Sequence, residues 1–280
     1  MHRSTVFLLL AALFSASGVP AAPQEPLPDV ATLEAIATQP ERFDDRQVRL
    51  KIFKALDAPS PELVAAAVEI VMRSPDLAAD PMLWRRFNAA LSSSDAARRK
   101  AVLDRAAKKG AVTDVRVIAV VVEALTDADA PLRAVALSLV TSQPALRQNP
   151  AVAEALGRSG EAVTGVVLPA FDAFKTRVQP VLEEIGPDKK TCPECHENHS
   201  VLRLPPMDGT AAAEPQLEAR YRAALRVVDL QAPERSLILR KPTSPKVEAP
   251  LTHGGDVRFE PDSASYRAIL EWIKTGGMAR

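Results

Sequence analysis

The sequence predicts an all-α protein in two parts, a series of stacked helix pairs followed by a smaller helical domain built around one cysteine motif. Three observations predict it. Only 4% of residues are aromatic while alanine and leucine abound, a composition suited to stacked helices and not to a sandwich or barrel. Capped helix starts recur at a regular step through residues 28–160. The two cysteines of the 280-residue chain stand together far beyond that region, in Thr191-Cys192-Pro193-Glu194-Cys195-His196.

The first residues carry an expected export signal, residues 1–21. His2-Arg3 form a weakly basic start, Val6 to Phe14 give nine apolar residues, and small residues lead to a cleavage site after Ala21. The run is too short to span a bilayer, and read instead as a core helix it would have no polar face. No second long apolar run follows, so no transmembrane segment is expected after signal removal, and the location is periplasmic or otherwise exported. Lys+Arg and Asp+Glu balance at 35 each, which gives no electrostatic footprint for nucleic acid.

Helix starts are readable in order. Ser60-Pro61-Glu62 combines an N-cap, a first-turn proline and an acid ahead of Leu63, Val64, Val68 and Val71. Asp80-Pro81 precedes Leu83, Trp84 and Phe87, which read as core. Asp95, Thr113-Asp114, Asp129-Ala130-Pro131 and Asn149-Pro150 open the next four. Starts at Ser60, Ser94 and Asp129 are 34 and 35 residues apart, and those at Asp80, Thr113 and Asn149 are 33 and 36 apart. With helices around Asp29–Thr38 and Asp44–Leu56, about four pairs result, the signature of an α-solenoid. Thr126 to Leu137, with its acids, then Arg133, then alanines, resembles the second helix of HEAT-type repeats. An irregular helical bundle is the competing arrangement. The region has no histidine or cysteine, and its basic run Arg98-Arg99-Lys100 with Lys108-Lys109 reads as a solvated face.

From Gly160 and Gly165 the pattern changes. Phe171, Phe174, Val178, Val181 and Leu182 recur at helical spacing and lead through Ile185 to Lys190 into the motif. Cys-x-x-Cys-His is the attachment pattern of c-type haem, in which two thiols become thioethers and the adjacent imidazole binds iron. Cys192, Cys195 and His196 fill those roles. Three other readings compete. A redox disulfide usually follows a strand, which is not indicated here. A zinc site could use Cys192, Cys195, His199 and His253. A structural disulfide would close almost no loop.

For the opposite face of the iron, His199 lies three residues past His196 and hardly reaches. Met207 is eleven residues on, short for a wrap around the ring, and Met278 follows the last helix. His253, 57 residues beyond His196 and next to Gly254-Gly255, has the length to cross the ring edge. It is the expected distal ligand, with Met207 as the alternative and an open position as the third possibility.

The chain from about residue 168 resembles the cytochrome c domains of planctomycete-type secreted proteins. The likeness runs through Phe174, Val178-Gln179-Pro180-Val181-Leu182, the Cys192–His196 motif, Leu202-Arg203-Leu204 and Tyr221. It continues through Pro233 to Pro242, His253-Gly254-Gly255 and the helix containing Tyr266, Leu270, Trp272 and Ile273. It implies a cytochrome c-like domain over residues 166–280 after HEAT-like repeats over 28–160, with one covalent haem c. It also implies crossing first and last helices, with Phe171 and Phe174 against Tyr266, Leu270 and Ile273. The expected function is single-electron transfer with a redox partner protein, more an electron carrier than an enzyme, the repeats serving for protein docking. The alternatives are a haem enzyme or gas sensor with an open sixth iron position, or a zinc-binding helical-repeat interaction protein.

Overall fold

Short polar side chains start the helices. The computed structural model describes residues 26–74, 76–77, 80–110, 114–161, 163, 165–207, 213–244, 253 and 256–278. The expected export signal, Gly254, Gly255 and the side chains of Trp84 and Met278 lie outside the described residues. Ser60 accepts the Leu63 amide at 3.3 Å, Asp80 those of Met82 and Leu83, and Asp95 those of Ala97 and Arg98. Asp114, Asp129 and Asn149 act likewise. Each bond satisfies an amide that the helix leaves without an internal partner. These caps open Pro61–Arg73, Pro81–Leu91, Ala96–Lys109, Val115–Leu125, Ala130–Ser142 and Pro150–Arg158, preceded by Val30–Ala37 and Arg46–Leu56, which Asp29 and Asp45 cap in the same way.

Packing follows the sequence step. Pro61–Arg73 lies on Ala96–Lys109, which lies on Ala130–Ser142, and Val115–Leu125 lies on Pro150–Arg158. These helices, one step apart, therefore touch, as do chain neighbours such as Val115–Leu125 and Ala130–Ser142. Pro61–Arg73 is buried almost all round, Ala65, Ala66 and Ala67 included, and its small residues let neighbouring backbones approach. In the basic run Lys100, Lys108 and Lys109 are exposed as a solvated face would be, while Arg98 and Arg99 are not. Arg99 is 8% exposed and pairs with Asp127 at 2.7 Å. Arg98 donates to the Ala58 carbonyl at 3.0 Å. Both side chains tie one helix to the loop of another.

Gly160 and Gly165 have left-handed φ of 83° and 84°, and there the chain leaves the first set of helices. A two-residue antiparallel pair, Val166↔Met278 and Val167↔Gly277, then holds both ends of the second part together. Phe171–Ala173, Phe174–Val178 and Gln179–Leu182 run on as one helical rod with a π-helical middle, crossing the last helix, Ala264–Lys274. Phe174 stands at that crossing as expected, but its ring partner on the last helix is Trp272 and not Tyr266. Phe174 packs edge-on against Trp272 at 5.3 Å and Tyr221 at 5.6 Å, whereas Tyr266 packs on Phe259. Polar atoms decide the choice. Tyr221 donates to the Pro169 carbonyl at 2.7 Å and Trp272 to that of Ala170 at 3.1 Å, so each ring can be buried with its polar group satisfied.

Pro150–Arg158 packs against Ala213–Leu225 and so joins the two parts. Around this contact Asn88 meets Ser200, Glu123 pairs with Arg226 at 3.4 Å, and Gln231 donates to Gln148 at 2.7 Å. Among the described residues no helix is long and apolar enough to cross a membrane.

Candidate functional site

The cysteine motif forms its own short helix, Cys192–His196. Pro193 supplies the fixed φ of a first turn, and Glu194 reaches back to the Thr191 amide at 2.6 Å and its hydroxyl at 2.9 Å. Those bonds hold the Glu194 carboxyl below its usual range, the Thr191 amide contributing most. The preceding loop is closed by the Gly186 amide on the Lys190 carbonyl and the Lys189 amide on the Gly186 carbonyl, both 2.9 Å. Lys189 takes a left-handed φ of 62° there, a conformation an ordinary residue keeps only when its surroundings hold it.

Arg258 supplies the hold. Its guanidinium pairs with Asp188 and donates to the carbonyls of Glu184 and Lys190, and the side chain is 7% exposed. A Cβ on Gly186 would run into this guanidinium, which is why glycine fits that position. Arg258 also acts on the Cys192 thiol, whose pKa is raised by burial, with Arg258 opposing the rise. Cys192 is half-buried, Cys195 is exposed, and both thiols are free.

The two histidines of the motif region adopt opposite tautomers. His196 Nδ1 lies 3.2 Å from the Leu202 carbonyl. A carbonyl only accepts, so Nδ1 carries the proton and Nε2 keeps its lone pair for a ligand. His199 Nδ1 accepts the amides of Val201 and Leu202, each at 3.2 Å, which uses its lone pair within the turn and leaves the proton on Nε2. Burial pushes the His196 pKa down to about 3, helped by His199 and His253, and that of His199 down to about 4. Both rings are neutral near pH 7, as metal ligation requires.

His253 arrives from far along the chain. Its ring centroid is 6.2 Å from that of His196, with the planes 22° apart. Its Nδ1 is buried without a hydrogen-bond partner, and burial lowers its pKa, with the Asp256 backbone opposing. The donor types gathered here, neighbouring imidazoles and two free thiols, are those that covalent haem attachment uses, and Cys192, Cys195, His196 and His253 are the residues that would hold the group. Met207 is half-buried on the irregular stretch after Leu204, and it is His253 that the fold brings beside His196.

Among the described residues no group of three or more His, Cys, Asp or Glu is gathered as a metal site, and His199, a member of the expected zinc set, spends its Nδ1 on the turn. Leu202, Ser200 and Arg258 were not singled out from the sequence as parts of the site. The Gly186-Pro187-Asp188 turn was the available signal for the last, since a tight turn beside the motif needs something to fasten it.

No protein-family model matches this chain, nor does any curated protein or solved structure. Its functional reading therefore stands on the residues and their geometry.

Proposed function

We propose that the chain is an exported monohaem c-type cytochrome that carries single electrons. One haem c, attached through Cys192 and Cys195 with its iron between His196 and His253, would supply a one-electron ferric–ferrous couple. In this reading the first part is a HEAT-like solenoid that offers a docking surface to a redox partner protein, and the second is a cytochrome c-like domain. The observation that carries the reading is the pairing of His196 and His253 at 6.2 Å next to the free cysteines.

The chain's own groups have defined tasks. The Leu202 carbonyl fixes the His196 tautomer and, by accepting its proton partway, raises the basicity of Nε2. Arg258 and Gly186 fasten the loop that presents Cys192. Held by both His196 and His253, the group would supply electron transfer and not binding of oxygen or peroxide, at a lower potential than a methionine ligand would give.

The test is a haem stain on a denaturing gel with a pyridine haemochrome spectrum, followed by absorbance and magnetic resonance of the purified protein. Covalent haem with a low-spin ferric signal is expected. Absence of stain after expression with a haem-attachment system would reject the cytochrome reading and leave zinc to be measured. Stain with a high-spin signal, a sulfur charge-transfer band or rapid carbon monoxide binding would keep the haem but reject His253 as its ligand.

A further inference from the structure

A second polar site lies between the two parts of the molecule. It is a cavity of about 600 Å³, within the roughly 300–1,000 Å³ usual for small-molecule sites. Four arginines line it: Arg158 from the last repeat helix, Arg203 from the segment after the motif, and Arg222 and Arg226 from the Ala213–Leu225 helix and its end. Glu123 is the one carboxylate among the described lining residues.

The nearby acids do not use up this charge. Arg158 pairs with Glu154 at 2.8 Å, Arg222 with Glu218 at 3.1 Å and Arg226 with Glu123 at 3.4 Å. Arg203 has a backbone carbonyl, that of Glu197, at 3.2 Å. Four guanidinium groups against three carboxylates leave one net positive charge. Arg226 is the most informative. Its side chain is 12% exposed, its Nε is buried with no hydrogen-bond partner, and its Nη1 contacts, to Glu123 at 3.4 Å and the Ser200 carbonyl at 3.5 Å, are long. A buried N–H left unspent costs stability unless something accepts from it.

We propose that this cavity binds a small multivalent oxyanion, a phosphate or polycarboxylate, clamped by Arg226 and Arg203 between the helical repeats and the motif domain. Guanidinium groups match such anions through paired N–H bonds. The anion would accept from the guanidinium ends of Arg226, whose Nη1 contacts are long, and of Arg203, and would sit against His199 and Ser200, which also line the cavity. The proposal does not depend on haem, because none of the four arginines belongs to the motif.

Calorimetric titration of the full-length protein at low ionic strength tests it, with inorganic phosphate in one arm and citrate in the other. Saturable binding at one site per chain is expected in at least one arm, and the stronger arm identifies the ligand as phosphoryl or carboxylate. Arg226→Met should weaken binding by about tenfold or more, the size of one lost charge-assisted pair. If that variant fails to fold by circular dichroism, Arg203→Gln, at an exposed position, decides instead with a several-fold loss. Arg177→Gln, exposed and outside the cavity, should change nothing. No saturable heat in either arm, undiminished binding by the deciding variant, or an equal loss in Arg177→Gln would overturn the proposal.

Discussion

His196 and His199 are three residues apart, yet their ring nitrogens do opposite things. One donates through Nδ1 to Leu202 and the other accepts through Nδ1 from Val201 and Leu202. The turn thus uses His199 as a backbone cap so that Leu202 is positioned for His196. His199→Leu would leave two amides without their acceptor, at about 1–3 kcal/mol for an unsatisfied group in a partly buried site, and urea unfolding should show the loss. On the proposed function, His253→Ala should leave haem attached, because the cysteines would hold it, but move the ferric spectrum from low to high spin; an unchanged spectrum would remove His253 from the iron. The nearness of His253 to His196 was legible from the length of chain between them and the glycines beside His253. Arg258 was not, since an arginine's meaning depends on which loop it meets, and the loop it fastens lies about seventy residues earlier.

Helices were legible wherever a short polar cap preceded a periodic apolar run, because capping and periodicity are local. What joins helices was harder to read. Arg99 looks like part of a solvated basic face until Asp127 comes to lie against it. The Asp127 carboxyl is held below its ordinary value of 3.8 by the Asp129 amide first and by Arg99 as well. Its folded pKa is depressed, so this contribution is present above 3.8 and is lost as pH falls through the folded pKa. Asp127→Asn should flatten the decline of the melting temperature between roughly pH 5 and pH 2 relative to the parent, and an identical pH profile would argue against this tie. Gly276 is a similar case. The sequence marks it as a helix stop, while the fold presses it against Pro169 and Val167. A Cβ there would lie 2.7 Å from Pro169 Cδ and 2.8 Å from the Val167 carbonyl oxygen. Gly276→Ala should cost about 1–3 kcal/mol in denaturant unfolding, as overpacking does, through separation of the last helix from the rod it crosses.

At the scale of the whole molecule, the N-terminal helices, read above as repeats, are more than a neighbour of the part that carries the cysteine motif. Asn88 reaches Ser200, two residues from the Leu202 carbonyl that orients His196. Glu123 reaches Arg226, whose Nη1 also approaches the Ser200 carbonyl. Sequence reading put a boundary near residue 160 and gave the repeats only a docking role, because side chains that meet across more than one hundred positions leave no local pattern. If the repeats brace the segment after the motif, removing residues 26–160 has consequences inside the second part. The face of Ala213–Leu225 that meets Pro150–Arg158 would be bared, Arg226 would lose its carboxylate, and Ser200 would lose its partner. The shortened protein should still attach haem, since the cysteines and His196 are local to one helix. It should unfold at lower denaturant than the same domain in the full chain, and its reduction potential should move because Leu202 is held less firmly. Asn88→Ala in the full chain should move the potential in the same direction by less. A shortened protein with unchanged stability and potential would return the repeats to docking alone, whereas a shift shared by deletion and point variant would make them part of the site's support.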